Sequence, residues 1–152
     1  IGNGTTTIKD VYTRTEIKAV VTALCDEITS RLRMGGFNAS NISITIKTAD
    51  FKYFHEATRL PFCSCYSNDF SFEIMKLLDS FWKYNEAVRA IRICSYNLSS
   101  VKKTQLCMFS NVIKSYNLNS SIDQIRHKYG YSAIIPASTL KNPHLVQSKI
   151  EV

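Results

Sequence analysis

Three kinds of side chain in this chain have types and spacings that could do chemistry. The first is the pentapeptide Gln105-Leu106-Cys107-Met108-Phe109, an amide followed by apolar side chains inside a polar, lysine-bearing stretch. No core needs such residues there, and the pattern suits a hook for another protein. Gln105 can accept and donate hydrogen bonds at once and so fix orientation. Leu106, Met108 and Phe109 each contribute about 1.5–3 kcal/mol if buried in a partner. Ordering a tail and association itself offset several kcal/mol of that gain, which leaves micromolar binding as the expectation. The second kind is basic: Lys9, Lys47, Lys52, Arg59, Arg89 and Arg92 fall on or beside segments that read as strands. The third is a set of thiols and imidazoles. Cys25, Cys63, Cys65, Cys94 and Cys107 are odd in number and lack a disulfide-framework or zinc spacing, and His55, His127 and His144 match no metal or triad pattern. Reduced thiols and ordinary histidines are expected, with Cys63-Ser64-Cys65 as a plain loop and no catalytic or metal-ligating residue in the chain.

The charge has a direction. Residues 1–98 hold 12 Lys/Arg against 10 Asp/Glu, while 99–152 hold 7 against 2, so most of the net +7 lies in the last third. Within the first part the acids gather in helical segments (Glu16, Asp26, Glu27, Asp69, Glu73, Asp79, Glu86). A basic sheet face with acidic helices behind it orients toward a polyanion. With 152 residues, 45% hydrophobic and 20% charged, the chain fits one main domain, 1–98, and an appendage, 99–152. It has no apolar run of about 18 residues to span a bilayer. Its first residues have neither a basic nor an apolar signal region, so no membrane partner and a cytoplasmic location are expected. The absence of an initiator Met suggests a piece of something longer.

The elements that must position these residues are legible from periodicity. Ile17, Val20, Val21, Leu24, Ile28 and Leu32 share one face of a helix over 14–34. Thr13 and Glu16 make a capping box at its start, and Gly35-Gly36 a stop at its end. A second helix, 69–84, turns Phe70, Ile74, Leu77, Leu78, Phe81 and Trp82 to the core, with Phe72 on the helix rather than the sheet. Strands are expected at 4–10, at Ile42 to Lys47, at 51–59 and at Arg89 to Tyr96. Ser43, Thr45 and Lys47 face away from the helices, as do Arg92 and Cys94. The alternation over 51–59 is blurred by aromatics; it is read with Lys52, Glu56 and Thr58 outward, and Pro61 ends that strand because it has no N–H to give. The order strand-helix-strand-strand-helix-strand predicts an α+β fold: a four-stranded, mostly antiparallel sheet covered by two helices on one face and bare on the other. A short third helix follows from Asn119 or Ser120 to Tyr129, with Leu118, Ile122, Ile125 and Tyr129 on one side and Gly130 as its stop; Tyr131 to Ile135 reads as a possible added strand.

The particular residues carry a family likeness. Ile1-Gly2-Asn3-Gly4-Thr5-Thr6, Arg31-Leu32-Arg33, Ile44-Thr45-Ile46-Lys47 with Asp50-Phe51-Lys52, Thr58-Arg59-Leu60-Pro61, and Val88-Arg89-Ala90-Ile91-Arg92-Ile93 ending in Asn97-Leu98 occur in this order. The series resembles the little-finger domain of Y-family translesion DNA polymerases of the bacterial UmuC and polymerase IV type. Gln105 to Phe109 resembles their sliding-clamp-binding pentapeptide, Gln-Leu-x-Leu-Phe, with Met108 replacing a Leu of similar volume. Ile122 to Gly130 is similar to the segment that follows it in UmuC-like polymerases of Gram-positive bacteria.

This resemblance implies a non-catalytic DNA-binding domain of a DNA repair polymerase active in translesion synthesis and the SOS response. Its partners are then the primer/template duplex, gripped without regard to sequence, and the sliding clamp. It implies that Lys47, Lys52, Thr58, Arg59 and Arg92 hold phosphates, with Gly2, Asn3, Thr5 and Thr6 adding backbone or hydroxyl contacts. It also implies that Mg2+ belongs to palm carboxylates outside this chain, so no cofactor is expected here, and that the setting is the bacterial nucleoid. Two rivals share the topology. An RNA-recognition module needs stacking aromatics on its central strands, where 89–96 has only Tyr96. An acylphosphatase-like enzyme needs a Gly-containing phosphate loop after the first strand, and Asp10-Val11-Tyr12-Thr13 has no glycine.

Overall fold

A computed structural model describes residues 1–100 and 112–137. Helix α1 (Arg14–Met34) begins where expected: the Thr13 hydroxyl accepts from the Glu16 amide at 3.2 Å, and the Glu16 carboxylate accepts from the Thr13 amide at 3.1 Å. It ends through Gly35 and Gly36, whose amides donate to Arg31 and Arg33 carbonyls. Gly36 has φ 70, the left-handed region that glycine occupies without a Cβ clash. All six apolar residues assigned to the buried face of α1 are buried.

The sheet has strand order β1-β4-β2-β3, every pair antiparallel, from β1 (Gly2–Val11), β2 (Phe37–Thr48), β3 (Tyr53–Ser64) and β4 (Val88–Ser100). Helix α2 (Ser67–Phe81) joins α1 on one face, and the core lies between them and Ile42, Ile44, Ile46, Ile91 and Ile93. Truncating one of these isoleucines to alanine costs about 2–5 kcal/mol, because lost burial and a residual cavity add. The α+β architecture and the strand-helix-strand-strand-helix-strand order are as the sequence predicts.

Four local expectations are corrected. β3 continues past Pro61 to Ser64, because its register with β2 shifts between Asn41 opposite Arg59 and Ala39 opposite Ser64. Pro61 sits in that irregularity, where no ladder N–H is required. α2 stops at Phe81, and Trp82 caps it by donating its amide to the Leu78 carbonyl at 2.8 Å. The third helix, α3 (Val112–Tyr129), starts earlier than Asn119; the Ser121 hydroxyl donates back to the Asn117 carbonyl at 2.9 Å, so a residue near the expected cap is accommodated inside the helix. Gly130 does stop α3, with φ 91. Tyr131–Ala133 then forms a 3-10 turn rather than a strand, drawn back by Tyr131.

That turn belongs to a polar attachment between α3 and α1. The Arg126 guanidinium lies 2.7 Å from Asp26 and donates to the Ile134 carbonyl at 2.6 and 3.0 Å. The Tyr131 hydroxyl donates to the same Asp26 at 2.8 Å; burial first, then the Asp26 charge, raises its pKa and keeps it a donor. Arg33 reaches Asp123 through two nitrogens, at 2.6 and 2.9 Å, and donates to the Cys65 carbonyl at 2.9 Å. The side of α3 carrying Leu118 and Tyr129 is not the attached side: they are 62% and 66% exposed. Among the described residues no helix is long and apolar enough to cross a membrane.

Candidate nucleic-acid interface

Antiparallel pairing fixes which side chains share the face away from the helices. One cross-strand row holds Thr6, Ala90, Lys47 and Tyr53; the next holds Gly4, Arg92, Thr45 and His55; a third holds Gly2, Cys94, Ser43 and Ala57; beyond it lie Tyr96, Asn41 and Arg59. None of these residues is acidic. Lys47, Arg59 and Arg92 form no ion pair with any described carboxylate. Three uncompensated cations on an open, acid-free face are therefore available to an external anion.

The bonding of β1 adds donors along its free edge. Ile1 and Ser95 exchange both backbone bonds, at 2.8 and 2.7 Å, and alternation along an antiparallel ladder turns the amides of Gly2, Gly4 and Thr6 outward. The Gly4 amide meets the Asn3 side-chain oxygen at 2.9 Å. A Cβ at Gly4 would sit 3.0 Å from Arg92 Cβ, so the missing side chain leaves room for Arg92 to lie over β1.

Of the nine residues singled out for DNA, the open face collects Gly2, Thr6, Lys47, Arg59 and Arg92. Asn3 and Thr5 have the opposite parity. Asn3 donates to Glu27 of α1 at 2.6 Å, and Thr5 sits opposite Ile91. The expected phase of β3 is wrong by one residue: Thr58 pairs with Ile42 and Glu56 with Ile44, both on the core side, so Arg59 and His55 face outward instead. Lys52 is also corrected. Its carbonyl accepts from the buried Thr48, opposite which it lies, and its ammonium is 3.9 Å from Glu86. Gln105, Leu106, Cys107, Met108 and Phe109 lie outside the described residues.

Sequence reasoning missed a cluster at the end of the face where β2 turns into β3. Phe51 has φ 64, its ring centre is 4.5 Å from Lys47 Nζ and 5.4 Å from Arg89 Cζ, and Lys47 Nζ is 5.3 Å from the Tyr53 ring. The signal was present as aromatics on both parities of a basic segment. His55 also went unassigned; its Nδ1 is 2.8 Å from the Thr45 hydroxyl. Cys25, Cys63, Cys65 and Cys94 are free thiols, and burial raises the pKa of Cys25 and Cys65. Among the described residues no group of three His, Cys, Asp or Glu is placed to hold a metal.

Known proteins share this fold. The model of the impB/mucB/samB family C-terminal domain matches residues 1–108. DNA polymerase IV of Pelotomaculum thermopropionicum is 26% identical over 140 residues, covering 92% of this chain and 35% of that protein. DNA polymerase IV 2 of Bacillus subtilis is 29% identical over 144 residues with the same coverage. The chain thus spans about a third of the length of the curated relatives it matches. Among solved structures, the little finger domain of PolIV in complex with the beta-clamp processivity factor superposes with TM-score 0.55 at 16% identity, over 72% of this chain and 98% of that one. The Dbh DNA polymerase in an insertion ternary complex gives 0.50 at 11% identity, over 64% of this chain and 28% of that one. Sheet order, open basic face and a family match over most of the chain agree: the chain belongs to the impB/mucB/samB C-terminal domain family, the little-finger domain of Y-family DNA polymerases.

Proposed function

We propose that this chain is the non-catalytic DNA-gripping part of a DNA polymerase that performs translesion synthesis in DNA repair and the SOS response. The open sheet face lies along the primer/template duplex, and residues 105–109 bind the sliding clamp. The carrying observation is the acid-free face on which Lys47, Arg59 and Arg92 stand without a described carboxylate partner. Contacts from such groups reach phosphates and carry no base information, which suits an enzyme that must copy any template. The clamp reading is supported by the pentapeptide pattern and by the fold's likeness to a little finger domain solved with a clamp. Polymer synthesis and its Mg2+ belong to carboxylates elsewhere in the parent protein, and its place of work is the cytoplasm, at the nucleoid.

Duplex titrations at several salt concentrations test this reading. Three phosphates neutralised predict a log–log slope of roughly −2.7, and replacing Lys47, Arg59 or Arg92 by alanine removes about 0.9 of slope each, equally for unrelated sequences. Salt-independent binding, or slopes unmoved by all three substitutions, would refute the sheet-face grip.

A further inference from the structure

Phe51 is an aromatic residue in an expensive place. At φ 64 it occupies the left-handed region, where a bulky L-residue is an outlier and where glycine or asparagine normally stands. The turn around it is over-determined by Thr48, whose carbonyl accepts from the Phe51 amide at 3.1 Å, whose amide donates to the Lys52 carbonyl at 3.0 Å, and whose hydroxyl accepts from the Lys52 amide at 3.2 Å. The strain gains no burial, since Phe51 is 61% exposed and Tyr53 beside it 66%. Strain that persists while the ring stays largely exposed, set only against the Lys47 and Arg89 cations, points toward ligand contact.

We propose that Phe51 and Tyr53, with Lys47 and Arg89, form a stacking site for an unpaired nucleotide base of a single strand leaving the duplex. In a duplex the bases are stacked on one another and offer no π-face to a side chain along its length, whereas an unpaired base offers one to two exposed rings. Lys47, at 4.5 Å and 5.3 Å from the two rings, is placed to take the adjoining phosphate. An open depression of about 620 Å³, lined by Thr6, Lys9, Asp10, Tyr12 and Arg89 among others, shares Arg89 with the site. The neighbouring acids are mostly engaged: Asp10 faces Arg89 at 3.2 Å and Glu86 faces Lys52, while Asp50 lies exposed on the turn. The same row continues into Ala90 and Thr6 of the open face, so duplex and single strand meet at this corner.

This inference rests on the duplex-gripping reading, and one experiment separates the two. Fluorescence anisotropy of the whole chain compares a blunt duplex with the same duplex carrying a single-stranded overhang, at 5′ and 3′ ends in turn, for the wild type and Phe51→Gly. Glycine suits φ 64, so the variant keeps or raises the melting temperature and lost binding cannot be ascribed to unfolding. One overhang is expected to bind about tenfold tighter than the blunt duplex, with Phe51→Gly erasing that advantage and leaving blunt-duplex affinity unchanged. Equal wild-type affinity for all three DNAs, an advantage that survives Phe51→Gly, or an equal loss for all three overturns the stacking site while the duplex grip stands. Failure of the wild type to bind any of them at low salt overturns the duplex grip and the stacking site together.

Discussion

At the scale of single residues, position 4 matters for what it lacks. A side chain there would meet Arg92 Cβ at 3.0 Å and the Ile91 carbonyl oxygen at 3.1 Å. Gly4→Ala is therefore expected to displace Arg92 and weaken duplex binding about threefold to tenfold, with the circular dichroism spectrum unchanged; undiminished affinity would mean that Arg92 does not reach DNA. Other residues set the response to acid. The Thr13 hydroxyl, and then its amide, hold the Glu16 carboxyl below its usual value, and the Arg14 guanidinium does the same for Asp79. Depressed folded values mean that this stability is complete above the unfolded carboxylate value of about 4 and is lost as pH falls through the lower folded values. The melting temperature should hold from neutrality to about pH 5 and drop below about pH 4, with Glu16→Gln flattening the acid limb. A melting temperature that falls with the same slope in both proteins would remove Glu16 from that account.

Among the elements, legibility followed how far each signal was local. Ile42, Ile44 and Ile46 alternate cleanly with polar partners, and β2 lies in the sheet with the predicted faces. β3 was misphased because Phe51, Tyr53 and Phe54 put rings on both parities, and a slip of one residue moves every side chain across the sheet. The attachment of α3 was invisible for a different reason. The sequence places Leu118, Ile122, Ile125 and Tyr129 on one side, whereas Asp123 and Arg126 make the contact, with partners 90 and 100 residues away in sequence. No periodicity encodes such a pairing. Arg126→Ala leaves Asp26 with Tyr131 alone, in a site where losing one partner of a buried pair costs about 3 kcal/mol. Hydrogen exchange across 117–129 is expected to rise sharply while β2 and β4 stay protected; unchanged exchange in α3 would show that it is held by something else.

For the whole molecule, the proposed function divides the labour between two ligands, the duplex on the open face and the clamp on residues 105–109. Phe109→Ala is expected to weaken clamp binding at least about tenfold and leave duplex affinity intact, measured by surface plasmon resonance on immobilised clamp and on DNA. Equal loss of both would make the pentapeptide structural. The sheet order also governs how the molecule assembles in time. Among the described strands β1 pairs with β4 alone, with Ile1 and Ser95 separated by 94 positions, whereas the β2–β3 hairpin closes locally. Contacts that distant are slow to form because loop-closure entropy is met before they reward it. The strand bearing Gly2 and Gly4 is expected to dock on the native side of the folding barrier, so destabilising substitutions in β1 should accelerate unfolding and leave the refolding rate nearly unchanged in stopped-flow measurements, and slowed refolding would place β1 in the folding nucleus instead.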